Sequence, residues 1–129
     1  MQEIFTEVKG EALTIVNSTN TAIAAQSGSL PVFGTPFMIA LMEKATCTAI
    51  SDCLEGDETT VGTAINVSHD KASGVGTVVI AYAKLKEAQG RKLIFDVKAC
   101  EEDGTLIGKG TIERFVVDSK RFMKKVEAK

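Results

Sequence analysis

The sequence predicts a two-layer α+β domain, with an antiparallel five-stranded sheet wrapped round one long central helix. Three observations carry this. Residues 35–52 are helical by their ends and apolar nearly all round, the mark of a helix buried on most faces. Four later stretches alternate apolar and polar residues, or are rich in β-branched ones, and short turn signals separate them. One β-rich run precedes the helix. One strand, one long helix and then four strands make a single sheet with one helix packed on it. The 129 residues fit one domain, 1–129, with room for one core.

Taken in order, residues 3–16 read as a strand with a kink at Lys9-Gly10, and Leu13-Thr14-Ile15-Val16 is its most β-prone part. Residues 17–34 are rich in Ser, Asn, Thr and Gly and read as a loop with one short helical turn around Ala22–Ala25. Thr35 is a good N-cap and Pro36 a good first helical residue. Helical periodicity runs to about Asp52, and Gly56-Asp57 marks the exit. Thr59–His69 is a long strand and Asp70–Gly74 a turn. In Val75–Ala88, Val79, Ala81, Ala83 and Leu85 share one face while Tyr82, Lys84 and Lys86 share the other. Gln89-Gly90 is a hairpin turn, and Lys92–Cys100 places Leu93, Phe95, Val97 and Ala99 on one face. Asp103-Gly104 is a second hairpin signal, Thr105–Val117 is the last strand, and Ser119–Lys129 is a basic short helix or frayed tail.

Composition narrows the function. The chain is 44% hydrophobic and 25% charged, as soluble globular proteins are. A net charge of −2 argues against nucleic acid as the partner. No apolar run approaches the ~20 residues of a membrane span, and Met1–Glu7 has no basic region leading into an apolar one, so no secretory signal is expected. Cys47, Cys53 and Cys100 are odd in number and lack a CxxC spacing, which gives neither a disulfide framework nor a zinc site. Cys47 and Cys100 read as small core residues. With one histidine the chain is poor in metal ligands, and a reduced cytoplasmic protein without a metal is expected.

Two residues stand out for chemistry. Glu43 is a carboxylate on a helix that reads as buried, so it must be paired, protonated or working. His69, the lone histidine, closes a strand-like run. Together they suggest a small acid/base site. Thr35 opens the helix, where its side chain can cap the backbone or face a ligand. Arg114, in the last strand, could pair with Glu113, Asp96 or Asp118 at the surface. Gly62 could mark a bulge or a close approach of backbone to a ligand.

Three segments resemble the hotdog-fold thioesterases of the fluoroacetyl-CoA thioesterase type. They are Val32-Phe33-Gly34-Thr35-Pro36-Phe37-Met38 running to Glu43, Val61-Gly62-Thr63-Ala64-Ile65 running to His69, and Gly110-Thr111-Ile112-Glu113-Arg114. Glu87–Leu93 also looks like that family's central hairpin, and the likeness covers roughly residues 30–120. The resemblance implies a hotdog fold and hydrolysis of a short-chain acyl-CoA. It implies Thr35, Glu43 and His69 as catalytic residues, and Gly62 and Arg114 as contacts to the acyl group. It implies coenzyme A as part of the substrate rather than a retained cofactor. The departure lies in residues 17–31, which are shorter than the family's lid and hold no aromatic residue, so no particular acyl group is implied.

Thr35 and Glu43 are eight residues apart, a rise of about 12 Å on one helix, too far for a direct hydrogen bond. Hotdog proteins resemble one another in pairing subunits. A two-fold axis would bring Glu43 of one chain to Thr35 and His69 of the other, giving two shared sites per homodimer; association of dimers into a tetramer is left open. In such a site Thr35 would be the nucleophile or position water, and His69 would be base and then acid. Glu43 would orient the imidazole or activate water. Two other readings are a hydratase or dehydratase acting on acyl thioesters, whose usual order of acid and histidine differs, and a non-catalytic acyl-thioester or small-ligand binder. Lys120, Arg121, Lys124 and Lys125 read as a solvated basic face, or as a contact for coenzyme A phosphates.

Overall fold

The computed structural model describes residues 1–4 and 6–128. The chain runs β1 (Lys9–Ile15), α1 (Ala22–Ala25), α2 (Thr35–Ile50), a 3₁₀ turn (Ser51–Cys53), β2 (Glu58–His69), β3 (Val78–Gln89), β4 (Lys92–Glu101), β5 (Leu106–Asp118) and α3 (Ser119–Glu127). The five strands form one antiparallel sheet in the order β1-β3-β4-β5-β2. The first strand begins at Lys9, later than the run from residue 3 suggests; that run takes in Phe5, which lies outside the described residues, as Lys129 does for the C-terminal tail.

The two hairpin turns fall where their glycines allow it. Gly90 and Gly104 both adopt positive φ, at 60° and 92°. The Asp70–Gly74 turn is no hairpin. β2 pairs only with β5, so residues 70–77 carry the chain from one side of the sheet to β3, which lies between β1 and β4. This leaves β2 at one edge and β1 at the other.

Helix α2 lies against one face of the sheet, and the alternation in the strands supplies the opposing apolar surface. Val79, Ala81, Ala83, Leu93, Phe95, Val97, Ala99, Ile112 and Val116 are buried beneath Met38, Leu41, Met42, Ala45 and Ile50. The closest approach is to β1: a Cβ on Gly10 would stand 2.5 Å from the Ala49 nitrogen and 2.9 Å from the Ala45 oxygen, so only glycine lets the strand lie this near the helix. The helix is not covered all round. Ala40, Lys44, Cys47 and Thr48 are exposed along one side, which corrects the reading of Cys47 as a core residue; Cys100 is buried as expected.

Candidate active site

The N-terminus of α2 differs from the expected cap. Gly34 is the N-cap, and Thr35 and Pro36 are the first two helical residues. Thr35 is thereby released from capping, and its Oγ1 lies 2.8 Å from Nδ1 of His69, at the end of β2. The Gly34 N–H is bonded to the Asn20 oxygen, the Phe37 N–H to the Gly34 oxygen, and Pro36 has no N–H. Among the described residues, the Thr35 N–H is thus the one first-turn donor left free to meet a ligand oxygen, with the partial positive charge of the helix terminus behind it.

His69 is half-buried, its ring 6.5 Å from Phe33 in an edge arrangement. Burial holds its pKa below the usual 6.5, with the Lys71 backbone and Asp70 opposing the shift. At neutral pH the imidazole is therefore uncharged, and Nδ1 can take a proton from the Thr35 hydroxyl. In that tautomer Nε2 carries the hydrogen, and Nε2 is enclosed without a hydrogen-bond partner.

Glu43 is elsewhere on α2, two turns on, and joins a second cluster. Its Oε2 is 3.0 Å from Nη1 of Arg114. Arg114 is not at the surface with Glu113, Asp96 or Asp118. It is 6% exposed, with Nε donating to Thr60 Oγ1 at 2.9 Å and Nη2 to the Thr60 carbonyl at 3.0 Å. Gly62 pairs with Arg114 across the two strands, and a Cβ there would stand 2.6 Å from Glu43 Oε2. The absence of a side chain at position 62 is what admits the carboxylate. Glu43 itself keeps about a third of its side chain, 36%, in contact with solvent.

The five candidate residues thus fall into two clusters in one chain: Thr35 with His69, and Glu43 with Gly62 and Arg114. Both face α2, although Gly62 and His69 are an odd number of residues apart and would lie on opposite faces of a regular strand. A bulge between Gly62 and Ala64 supplies the extra residue that turns both inward. Thr60, which anchors Arg114, was missed from sequence; nothing in its type or spacing marks it, and only the pairing of β2 with β5 brings it to the guanidinium.

A concavity of about 1280 Å³ spans the opposite face of the sheet among Glu11, Tyr82, Lys98, Lys109 and Asn66, away from both clusters. Among the described residues, no group of three or more His, Cys, Asp or Glu side chains could hold a metal ion, and no helix is long and apolar enough to cross a membrane.

A family model described as fluoroacetyl-CoA-specific thioesterase matches residues 16–120. The fluoroacetyl-CoA thioesterase of Streptantibioticus cattleyicolor is 42% identical over 99 residues, covering 76% of this chain and 70% of that one. A solved structure of the fluoroacetyl-CoA thioesterase FlK superposes with a TM-score of 0.90 at 31% identity, covering 99% of this chain and 98% of that one. A thioesterase superfamily member from Thermus thermophilus gives 0.84 at 25% identity over all of both chains. A hot-dog-like protein from Thermanaerovibrio acidaminovorans also gives 0.84, at 19% identity, over 95% of this chain and 90% of that one, which speaks to the fold alone.

Proposed function

The chain belongs to the fluoroacetyl-CoA-specific thioesterase family, and is a hotdog-fold hydrolase of acyl-CoA thioesters; from this premise we propose that it acts on a short-chain acyl-CoA at a site built by two copies of the chain. The observation that carries the reading is the division of the candidate residues into two clusters. Among the described residues, no carboxylate is hydrogen-bonded to Thr35 or His69, and the Glu43 carboxylate is bonded to Arg114 rather than to a hydroxyl or imidazole.

The free edge of β2 offers a way to join them. Its outer side is unpaired, and Gly62–Asn66 are exposed along it. Antiparallel pairing of two such edges, centred near Ile65 and Asn66, would set His69 of one chain opposite Gly62 of the other. Glu43 and Arg114 of the second chain would then stand beside Thr35 and His69 of the first. Since Nε2 of His69 is enclosed by its own chain, Glu43 would approach from the exposed Thr35 side, where it can activate water. Pairing of such dimers into a tetramer would leave this arrangement unchanged.

In this site the thioester carbonyl lies at the α2 N-terminus, its oxygen toward the Thr35 N–H. Arg114 and Gly62 contact the acyl group. Thr35 Oγ1, or a water held by it and by Glu43, attacks the carbonyl carbon while His69 Nδ1 takes the proton. The C–S bond breaks, and the proton passes from His69 to the departing thiolate. On the covalent route water then cleaves the Thr35 ester with Glu43 as base. The products are a carboxylic acid and free coenzyme A, and the steps use these side chains and water. Coenzyme A is substrate here, and three free cysteines suit a reducing, cytoplasmic setting.

The test is thiol release across acyl-CoA chain lengths for wild type, Glu43→Gln and His69→Ala. Each variant is expected to lose about 10²- to 10⁴-fold in kcat. No thiol release from any acyl-CoA by the wild type would overturn the activity; two variants that match wild type would overturn the site.

A further inference from the structure

Helix α3 carries a charge pattern that hydrolysis leaves unused. Lys120, Arg121, Lys124 and Lys125 occupy one side of it, and Phe122, Met123 and Val126 the other. All seven are exposed, the three apolar ones at 38%, 46% and 44%. Lys120 has Asp57 at 3.5 Å; Arg121, Lys124 and Lys125 have no ion-pair partner among the described residues. In a chain of net charge −2 this leaves three neighbouring positive charges, on Arg121, Lys124 and Lys125, without an ion-pair partner among the described residues.

The start of the helix is anchored to the end of β5 and to Asp57. Asp118 ends β5 and accepts from the Arg121 N–H at 3.0 Å, and the Ser119 N–H donates to the Asp57 carbonyl at 2.8 Å. Ser119 follows Arg114 by five residues of strand, about 17 Å. The chain segment that carries Phe33 and Thr35 is of the opposite character: from Ala12 to Met42 there is no Asp, Glu, Lys, Arg or His. That segment suits an uncharged acyl group and pantetheine arm, and offers no cationic side chain to phosphates.

We propose that the basic side of α3 binds the phosphates at the nucleotide end of the coenzyme A thioester. The inference rests on the acyl-CoA reading above and names where the far end of that substrate lies. The diphosphate and ribose phosphate are held well away from the thioester by the pantetheine arm, so their subsite must be polycationic and remote from the acyl group. With the β2 edges paired, the second copy's β5 runs from its Arg114, beside the thioester, outward to its own α3. The substrate would leave the neutral segment of one chain and end on the basic helix of the other.

The experiment titrates free coenzyme A into wild type and into Lys124→Gln/Lys125→Gln by calorimetry at low and high salt. The same proteins are then assayed on an acyl-CoA and on the matching S-acyl-N-acetylcysteamine, which lacks the nucleotide. Neutralising two exposed charges is expected to weaken coenzyme A binding about five-fold at low salt, and less at high salt. The rise in KM should be confined to the acyl-CoA. Unchanged coenzyme A affinity, or equal losses on both thioesters, would overturn the proposal. So would binding of α3 to phosphatidylglycerol vesicles with coenzyme A affinity unaltered in the variant. If no thioester is hydrolysed, the thioesterase reading falls, while the calorimetry still decides the fate of α3.

Discussion

His69 governs the pH response. Burial lowers its pKa in the folded chain, so the unfolded chain takes up the proton more readily. Its contribution to stability is complete above 6.5, is lost as pH falls below 6.5, and levels off below the folded value. The same neutral imidazole is the base, so kcat/KM is expected to fall as pH drops through the folded value, which lies below 6.5. Urea midpoints from pH 5 to 8 should show a flatter acid slope for His69→Gln than for wild type. Thr60 makes a different prediction. Thr60→Val keeps the shape but leaves the buried Arg114 Nε without an acceptor, which costs about 1–3 kcal/mol. Loosening of the Arg114–Glu43 pair should also lower kcat/KM, and Thr60→Ser should restore both. An activity unchanged in Thr60→Val would show that the pair needs no such anchor.

At the level of elements, the decisive contacts are where α2 meets its neighbours through missing side chains. Gly10→Ala would put a methyl against the backbone of Ala45 and Ala49, and forcing helix and strand apart is expected to cost about 1–3 kcal/mol. A fall of several degrees in Tm by calorimetry would bear this out. The helix itself was legible: its Pro near the start, its length and its apolar positions are all local signals. Its N-cap was misjudged by one residue because Gly34 is held by Asn20, a loop contact outside the helix. Strand faces were legible too, since Val79, Ala81, Leu93 and Phe95 alternate with polar neighbours and are all buried. The partner of β2 was not, because Asp70–Gly74 looks like any other turn until the chain is seen to cross the sheet.

At the scale of the whole molecule, the proposed site exists only when two chains meet. Glu43→Gln and His69→Ala are each expected to be inactive as pure proteins. Unfolded together and refolded as a mixture, they should recover about a quarter of wild-type activity, since half the dimers are mixed and each has one intact site. A mixture as inactive as its components would mean that each chain supplies its own complete site. Sedimentation of Ile65→Lys, which sets a charge on the free β2 edge, should show a shift toward monomer with loss of thiol release.

By itself the sequence determined what depends on local order: the long helix with Thr35 at its start, the alternating strands, the hairpin glycines, and the residue types and spacings that resemble one enzyme family. The tertiary structure decided the rest. It divided the five residues into two clusters, gave Arg114 to Glu43 and Thr60, and turned Gly62 and His69 to the same face through one extra residue in β2. A bulge and a strand partner are long-range choices. They depend on which backbone hydrogen bonds are made across the sheet, and a single strand read alone carries no record of them.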